Sequence, residues 1–319
     1  MNEPPPSRPC RQKRLPHQFL RFHICRATRL ACVLLFLTSS LPAWCQSGTE
    51  GLAVFVDGGA LFSSDIHANF YNGAPSNDNN IQRVLNSEAY GLEIWQNLRN
   101  QGYLYDVSNY SGMTISESKY PIMDFRPTYQ IGLGIRYGFK NEWGWLFRVG
   151  YAKLTALGAF NIDNVATTSI LTNQDRYITC GILGEESRIN LDLGLYKLFP
   201  LGDKLHLEIA CGFNLNNTKV LANEIEVGGK TYNILNVWGS SELYAGVGSY
   251  DYINQGAIGI GGFASFAVGY ALPNVGSIDI GYHCYYNQTH YIDYNDDNPY
   301  LFQHSIFLRA SIYNFSFWD

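Results

Sequence analysis

Gln130-Ile131-Gly132-Leu133-Gly134-Ile135-Arg136-Tyr137-Gly138 decides the fold. Ile131, Leu133, Ile135 and Tyr137 alternate with glycines, one glutamine and one arginine. Successive side chains of a strand point to opposite faces, so one face here is wholly apolar and the other polar and glycine-rich. The same rhythm returns at Ile189, Leu191, Leu193 and Leu195, set against Arg188, Asn190, Asp192 and Gly194. A soluble sandwich would wet its polar face with Lys, Glu and Thr. Glycines and isolated charges instead suit a narrow packed lumen, with the apolar face turned to lipid.

Working outward, alternation predicts about eight strands: 52–62, 128–139, 143–160, 176–198, 204–221, 257–272, 277–292 and 301–317. Three connections are tight, at Lys140-Asn141-Glu142, Pro200-Leu201-Gly202-Asp203 and Pro273-Asn274-Val275-Gly276. They alternate with long loops at about 64–127, 161–175, 222–256 and 293–300. Short turns on one side and long loops on the other is the layout of an up-and-down transmembrane barrel, its short side periplasmic. Tyr137, Phe139, Trp143, Trp145, Phe199, Tyr270 and Trp318 gather towards the short turns, and Phe213, Tyr282 and Tyr286 towards the loops, as two interfacial girdles would.

Composition agrees. Charged residues make up 15% of the chain, below the ~25% typical of soluble domains. No apolar run after the first 45 residues approaches the ~20 that a membrane helix needs. Residues 1–45 read as a signal peptide: seven basic residues, the apolar run Ala31–Leu37, then Ala43-Trp44-Cys45, with cleavage expected after Cys45. Residues 46–319 form the barrel domain. Removing the leader's seven bases and one acid takes the net charge from −5 to −11, which argues against nucleic acid or an anionic membrane surface as a partner. Four of the seven cysteines go with it. Cys180, Cys211 and Cys284 form neither a disulfide framework nor a zinc site.

The segment 131–139, the Trp143-Gly144-Trp145 step and the aromatic run Phe315-Ser316-Phe317-Trp318 resemble the small outer-membrane β-barrel proteins of Bacteroidota. More distantly the chain is similar to the eight-stranded barrel of outer membrane protein A. The resemblance implies an outer-membrane location, contact with outer-membrane lipids and lipopolysaccharide, and a terminal aromatic read by the barrel-assembly machinery. One departure is visible: Ile306, Leu308, Ala310 and Ile312 share a face, while Tyr313, Phe315 and Phe317 fall on the other. Either a β-bulge near Asn314 shifts the phase, or the assembly signal is unusual.

Inward positions collect Asp57, Arg136, Arg148, Arg188, Asp192, Glu208, Asp279 and Arg309, with His206 and His283. Counted from the nearest turn, Asp57, Arg148, Asp192 and Glu208 stand at comparable heights. Buried charges must pair, so these residues are expected to form a salt-bridge plug. A gated solute path is the alternative.

Other candidates are sparser. His304-Ser305 and His67 lie near the loop side, without a nucleophile motif around them; a lipid A-modifying enzyme is thus a remote alternative, and a secretion or assembly accessory another. Asp293, Asn295 and Asp297 match half a calcium loop, but Asn298 stands in place of its glycine and His304 in place of its glutamate. No metal or cofactor is expected. In the first loop, Ile81, Val84 and Leu85, then Leu92, Ile94, Trp95 and Leu98, predict one or two short amphipathic helices capping the mouth, with capping chemistry at Asn77 to Asn80. Trp95 is the candidate for contact with an external ligand. The expected role is non-enzymatic: envelope structure, or binding through the loops.

Overall fold

The computed structural model describes residues 50–75, 79–88, 90–103, 113, 115, 120–163, 177–235, 256–272, 275–291 and 299–313. The expected signal peptide at 1–45, the half calcium loop at 293–297 and the terminal aromatics from Asn314 onward lie outside these residues.

Among the described residues, ten strands form one antiparallel sheet: β1 (Gly51–Phe62), β2 (Asp124–Phe125), β3 (Thr128–Gly138), β4 (Trp143–Asp163), β5 (Tyr177–Pro200), β6 (Leu205–Val227), β7 (Lys230–Asn233), β8 (Ile258–Leu272), β9 (Gly276–Gln288) and β10 (Tyr300–Tyr313). Eight of them run in the order β1-β3-β4-β5-β6-β8-β9-β10, and β10 pairs again with β1, from Ala53 opposite Tyr313 to Phe62 opposite His304. These eight strands therefore close into a barrel. All eight expected strands are present. β2 flanks β4, and β7 folds back on β6 as a hairpin.

Two tight turns carry left-handed residues, Glu142 (φ 66°) and Gly202 (φ 99°). Glycine adopts that conformation freely, whereas Glu142 is held in it by a hairpin closed through Phe139 N–H to Trp143 O at 2.7 Å.

Outward residues such as Ile131, Leu133 and Ile135 on β3, Leu191 and Leu193 on β5, and Ile306 and Leu308 on β10 are exposed and apolar. A belt of this kind around a closed sheet is stable only in a membrane, where lipid replaces water. At its short-turn edge, Lys197 lies over Trp143 and Phe199, and Lys204 over Tyr270, 5.2–5.9 Å from the ring centres. Aromatic and basic residues together are what an interface favours.

β4, β5 and β6 have 21, 24 and 23 residues, against 11 to 15 for the other barrel strands. The excess carries three strands roughly 30 Å further along their length, past the belt. There the inward face turns apolar. Outward positions become Lys153, Thr155, Leu157, Ala159 and Asn161, a mixed set, while inward ones include Leu154, Ala156, Phe160 and Ile162. Alternation alone ends β6 at Leu221. Leu221 is instead a bulge, opposite the step from Glu185 to Glu186, and the strand continues to Val227.

The tall wall packs on the first loop. That segment folds into α1 (Asp65–Ala68), a 3-10 turn at Asn69–Tyr71, α2 (Ile81–Leu85) and α3 (Gly91–Asn100). Asn80 caps α2, its side chain accepting from Gln82 N–H at 2.8 Å. Ile81, Val84, Leu85, Ile94 and Leu98 enter a core with Ile182, Val220, Ile225 and Val227. Leu92, expected on this face, is exposed: Gly91, Ile94 and Leu98 form the buried stripe of α3, and Leu92 lies off it. The result is a folded head above the barrel. Loop 3 is tied in as well, since Asn97 donates to Gly228 O at 2.9 Å and Tyr90 meets Tyr232 edge-on.

Candidate functional site

All eight charged residues expected inside the barrel are buried there. They do not form one cluster. In the middle of the lumen, Arg148 grips Asp57 with two donors at 2.7 and 2.8 Å, and Asp192 with a third at 3.1 Å. Tyr285 O–H lies 3.1 Å from the same guanidinium. Gly132 and Gly150 leave the room: a Cβ at either would lie 2.6–2.7 Å from the arginine nitrogens.

Nearer the short turns, Glu208 pairs with Arg136 and with Arg309, the latter at 2.5 Å. Asp279 lies 3.8 Å from Arg136 and 3.1 Å from His206 Nε2. Glu208, expected at the height of Arg148, belongs instead to this lower layer. Barrel strands are tilted and staggered, so equal counts from two turns do not give equal heights. Between the layers the lumen is filled by Phe55, Phe263, Phe307 and His283, with the Arg309 guanidinium 4.6 Å from the Phe55 ring centre and His283 stacked on Phe307 at 4.2 Å.

Arg188, one of the expected lumen charges, stands higher. Its partner is Glu186, two residues away on the same face, which no pattern in the sequence singles out. Tyr71 and Tyr291 donate to Glu186 at 2.6 and 2.7 Å, and Arg188 donates to Ser63 and Gln303 at 2.9 and 2.8 Å. This neck joins the head to the barrel. A ladder of amides links it to the middle layer: Gln303 to Asn287 at 2.7 Å, Asn287 to Asn214 at 2.8 Å, and Asn214 to Asp192 at 2.7 Å. Tyr71 packs against Gly184, where a Cβ would collide with the ring.

His67 is buried in the head, its Nε2 3.3 Å from Pro299 O and its Nδ1 without a hydrogen-bond partner among the described residues. Burial, with the nearby Arg188 cation adding to it, lowers its pKa from 6.5 to about 3. The unfolded chain binds a proton at His67 below about pH 6.5 and the folded head does not. Stability is then full above that value and falls, by at most about 1.4 kcal/mol per unit, as the pH drops towards 3. A His67→Phe variant is expected to lose this part of the acid sensitivity, read from head unfolding against pH in refolded protein.

His304 and Ser305 project to opposite sides of β10. His304 faces outward, stacked on Tyr282, and Ser305 faces the lumen. Neighbours on a strand cannot act on one reacting atom, so this pair forms no dyad. Inside, Ser305 stands opposite His283, and neither side chain has a hydrogen-bond partner among the described residues. Trp95 is half-buried against the head core, with Arg99 over its ring at 5.4 Å. Among the described residues, no cluster of three or more His, Cys, Asp or Glu forms a metal site.

No family model matches the chain, and no curated protein does. Solved structures with a similar course include Neisserial surface protein A (10% identity, 83% of this chain and 99% of that one, TM-score 0.37). The attachment invasion locus protein Ail of Yersinia pestis is another (10%, 82% and 97%, TM-score 0.30). A third is the outer membrane protein OprG from Pseudomonas aeruginosa (8%, 84% and 98%, TM-score 0.33).

Proposed function

We propose that this chain is a bacterial outer-membrane protein whose barrel is a plugged stem, and whose role is non-enzymatic: envelope structure, or binding of an external partner through the head. One observation carries the reading. Arg148 is fully buried and holds two carboxylates across the lumen at hydrogen-bond distance, where a solute path would need open, hydrated space. The head adds support, because a loop-built surface on a rigid scaffold is where binding functions concentrate. Outer-membrane lipids and lipopolysaccharide would surround the stem, and the barrel-assembly machinery would insert it.

Conductance of the refolded chain in planar bilayers tests this, once heat-modifiable migration on a gel has shown that the barrel is folded. Silence is the expected result. Discrete, ion-selective openings would overturn the plug and make the lumen charges a channel lining.

A further inference from the structure

The outward wall of β3 to β6 carries three chemistries in ascending order. The lowest is the apolar belt, which ends at Tyr151, Ile189 and Leu215. Directly above it, Lys153 stands opposite Ser187, and Ser187 opposite Lys219, in one row across three strands. One step higher is Thr155, whose carbonyl accepts from the Arg126 N–H at 2.9 Å, opposite Glu185. Above these rows the cations give way to Asp124 and Glu224, which flank the outward Leu157 and Leu183 in one row, with Glu226 one step higher. Three cations and one carboxylate are thus confined to a narrow band at the edge of the belt. On the far side, Arg188, next to Ser187, reaches Ser63 and Gln303 across the lumen, and beside these Phe62, Phe302 and His304 face out instead.

We propose that this band is a docking site for the phosphate of an anionic lipid in the leaflet at the head end of the barrel. The proposal rests on the membrane reading above. A lipid whose chains lie along Tyr151, Ile189 and Leu215 brings its phosphate to the height of Lys153 and Lys219. Asp124, Glu224 and Glu226 above disfavour a higher position for the phosphate, so the cations favour one depth. Ser187 places a hydroxyl donor between the two ammonium groups. The 2.8 Å ion pair between Lys153 and Glu185 is half-exposed, and pairs of that kind are weak enough for a phosphate to compete. Residues 46–319 carry a net charge of −11, which disfavours anionic surfaces in general, so attraction of a lipid phosphate on this wall rests on the local band of Arg126, Lys153 and Lys219.

The test uses the full barrel reconstituted in phosphatidylcholine vesicles containing a minority of phosphatidylglycerol, with retained lipid counted by native mass spectrometry after mild extraction. The native chain is expected to retain phosphatidylglycerol over phosphatidylcholine at least about tenfold more strongly than the triple variant Arg126→Ser, Lys153→Ser, Lys219→Ser. Phe302→Ser, on the far wall, is expected to leave retention unchanged. Should the triple variant fail to fold, Lys219→Ser alone is expected to lower retention about fivefold. Equal retention by native and variant barrels, or complete displacement of the lipid by inorganic phosphate, overturns the proposal. A native chain that never migrates as a folded barrel in these vesicles overturns the membrane reading itself, a distinct result.

Discussion

Replacing Arg148 by Leu is expected to cost about 3–5 kcal/mol of barrel stability, because it strands Asp57 and Asp192 as unpaired buried carboxylates. The loss is not that of two ion pairs in water. Both acids are sealed in the lumen, so the penalty is their uncompensated desolvation. The measurement is equilibrium unfolding by urea from lipid vesicles. Adding Asp57→Asn and Asp192→Asn to the Arg148→Leu variant is expected to recover much of the loss, since neutral amides are cheaper to bury. An unchanged midpoint for Arg148→Leu would mean that water reaches the site, and the plug would be wrong.

The second large effect lies on the opposite face. Leu193 is half-exposed and points outward between Phe147 on β4 and Phe213 on β6, within the apolar belt. Leu193→Arg is expected to cost about 2–4 kcal/mol in lipid if this level is near mid-bilayer. Leu191→Arg, one outward step higher, should follow it. Thr155→Arg, above the belt on β4, is expected to change stability by less than about 0.5 kcal/mol. The contrast is the informative part: a soluble sheet would treat the three substitutions alike.

The barrel is legible in the sequence because its two faces differ so much in chemistry. Ile131 to Tyr137 and Ile189 to Leu195 set large apolar side chains against glycine and isolated charge, and only one phase fits. Above the belt that contrast disappears. Glu185 and Ser187 face out while Glu186 and Arg188 face in, and all four are polar, so Glu186 gives no signal. Higher still the inside turns apolar while the outside mixes polar residues with Leu157, Ala159 and Leu183, so neither phase stands out. The end of β6, its bulge at Leu221 and the β7 hairpin therefore look like loop from the sequence. The lumen charges are identifiable individually, because inward phase and charge are both local. Which acid meets which base depends on the stagger between strands, and that is not local; Glu208 shows the difference. The helices of the first loop are visible in their spacing, but the outward turn of Leu92 is decided by the head core.

The seam between β1 and β10 has a kinetic consequence. It pairs residues more than two hundred positions apart in the chain, such as Ala53 with Tyr313, so it forms only after a large entropic search. Two of the ion layers depend on it: Asp57 sits on β1, and Arg309 on β10 reaches Glu208. Until the seam shuts, these charges remain hydrated; when it shuts, they lose that water together. The barrier to closure then includes desolvation as well as chain search, and the reverse step must rehydrate a packed interior. Assembly would be slow and the finished barrel long-lived, with a persistence set by its rate of opening rather than by its equilibrium stability alone.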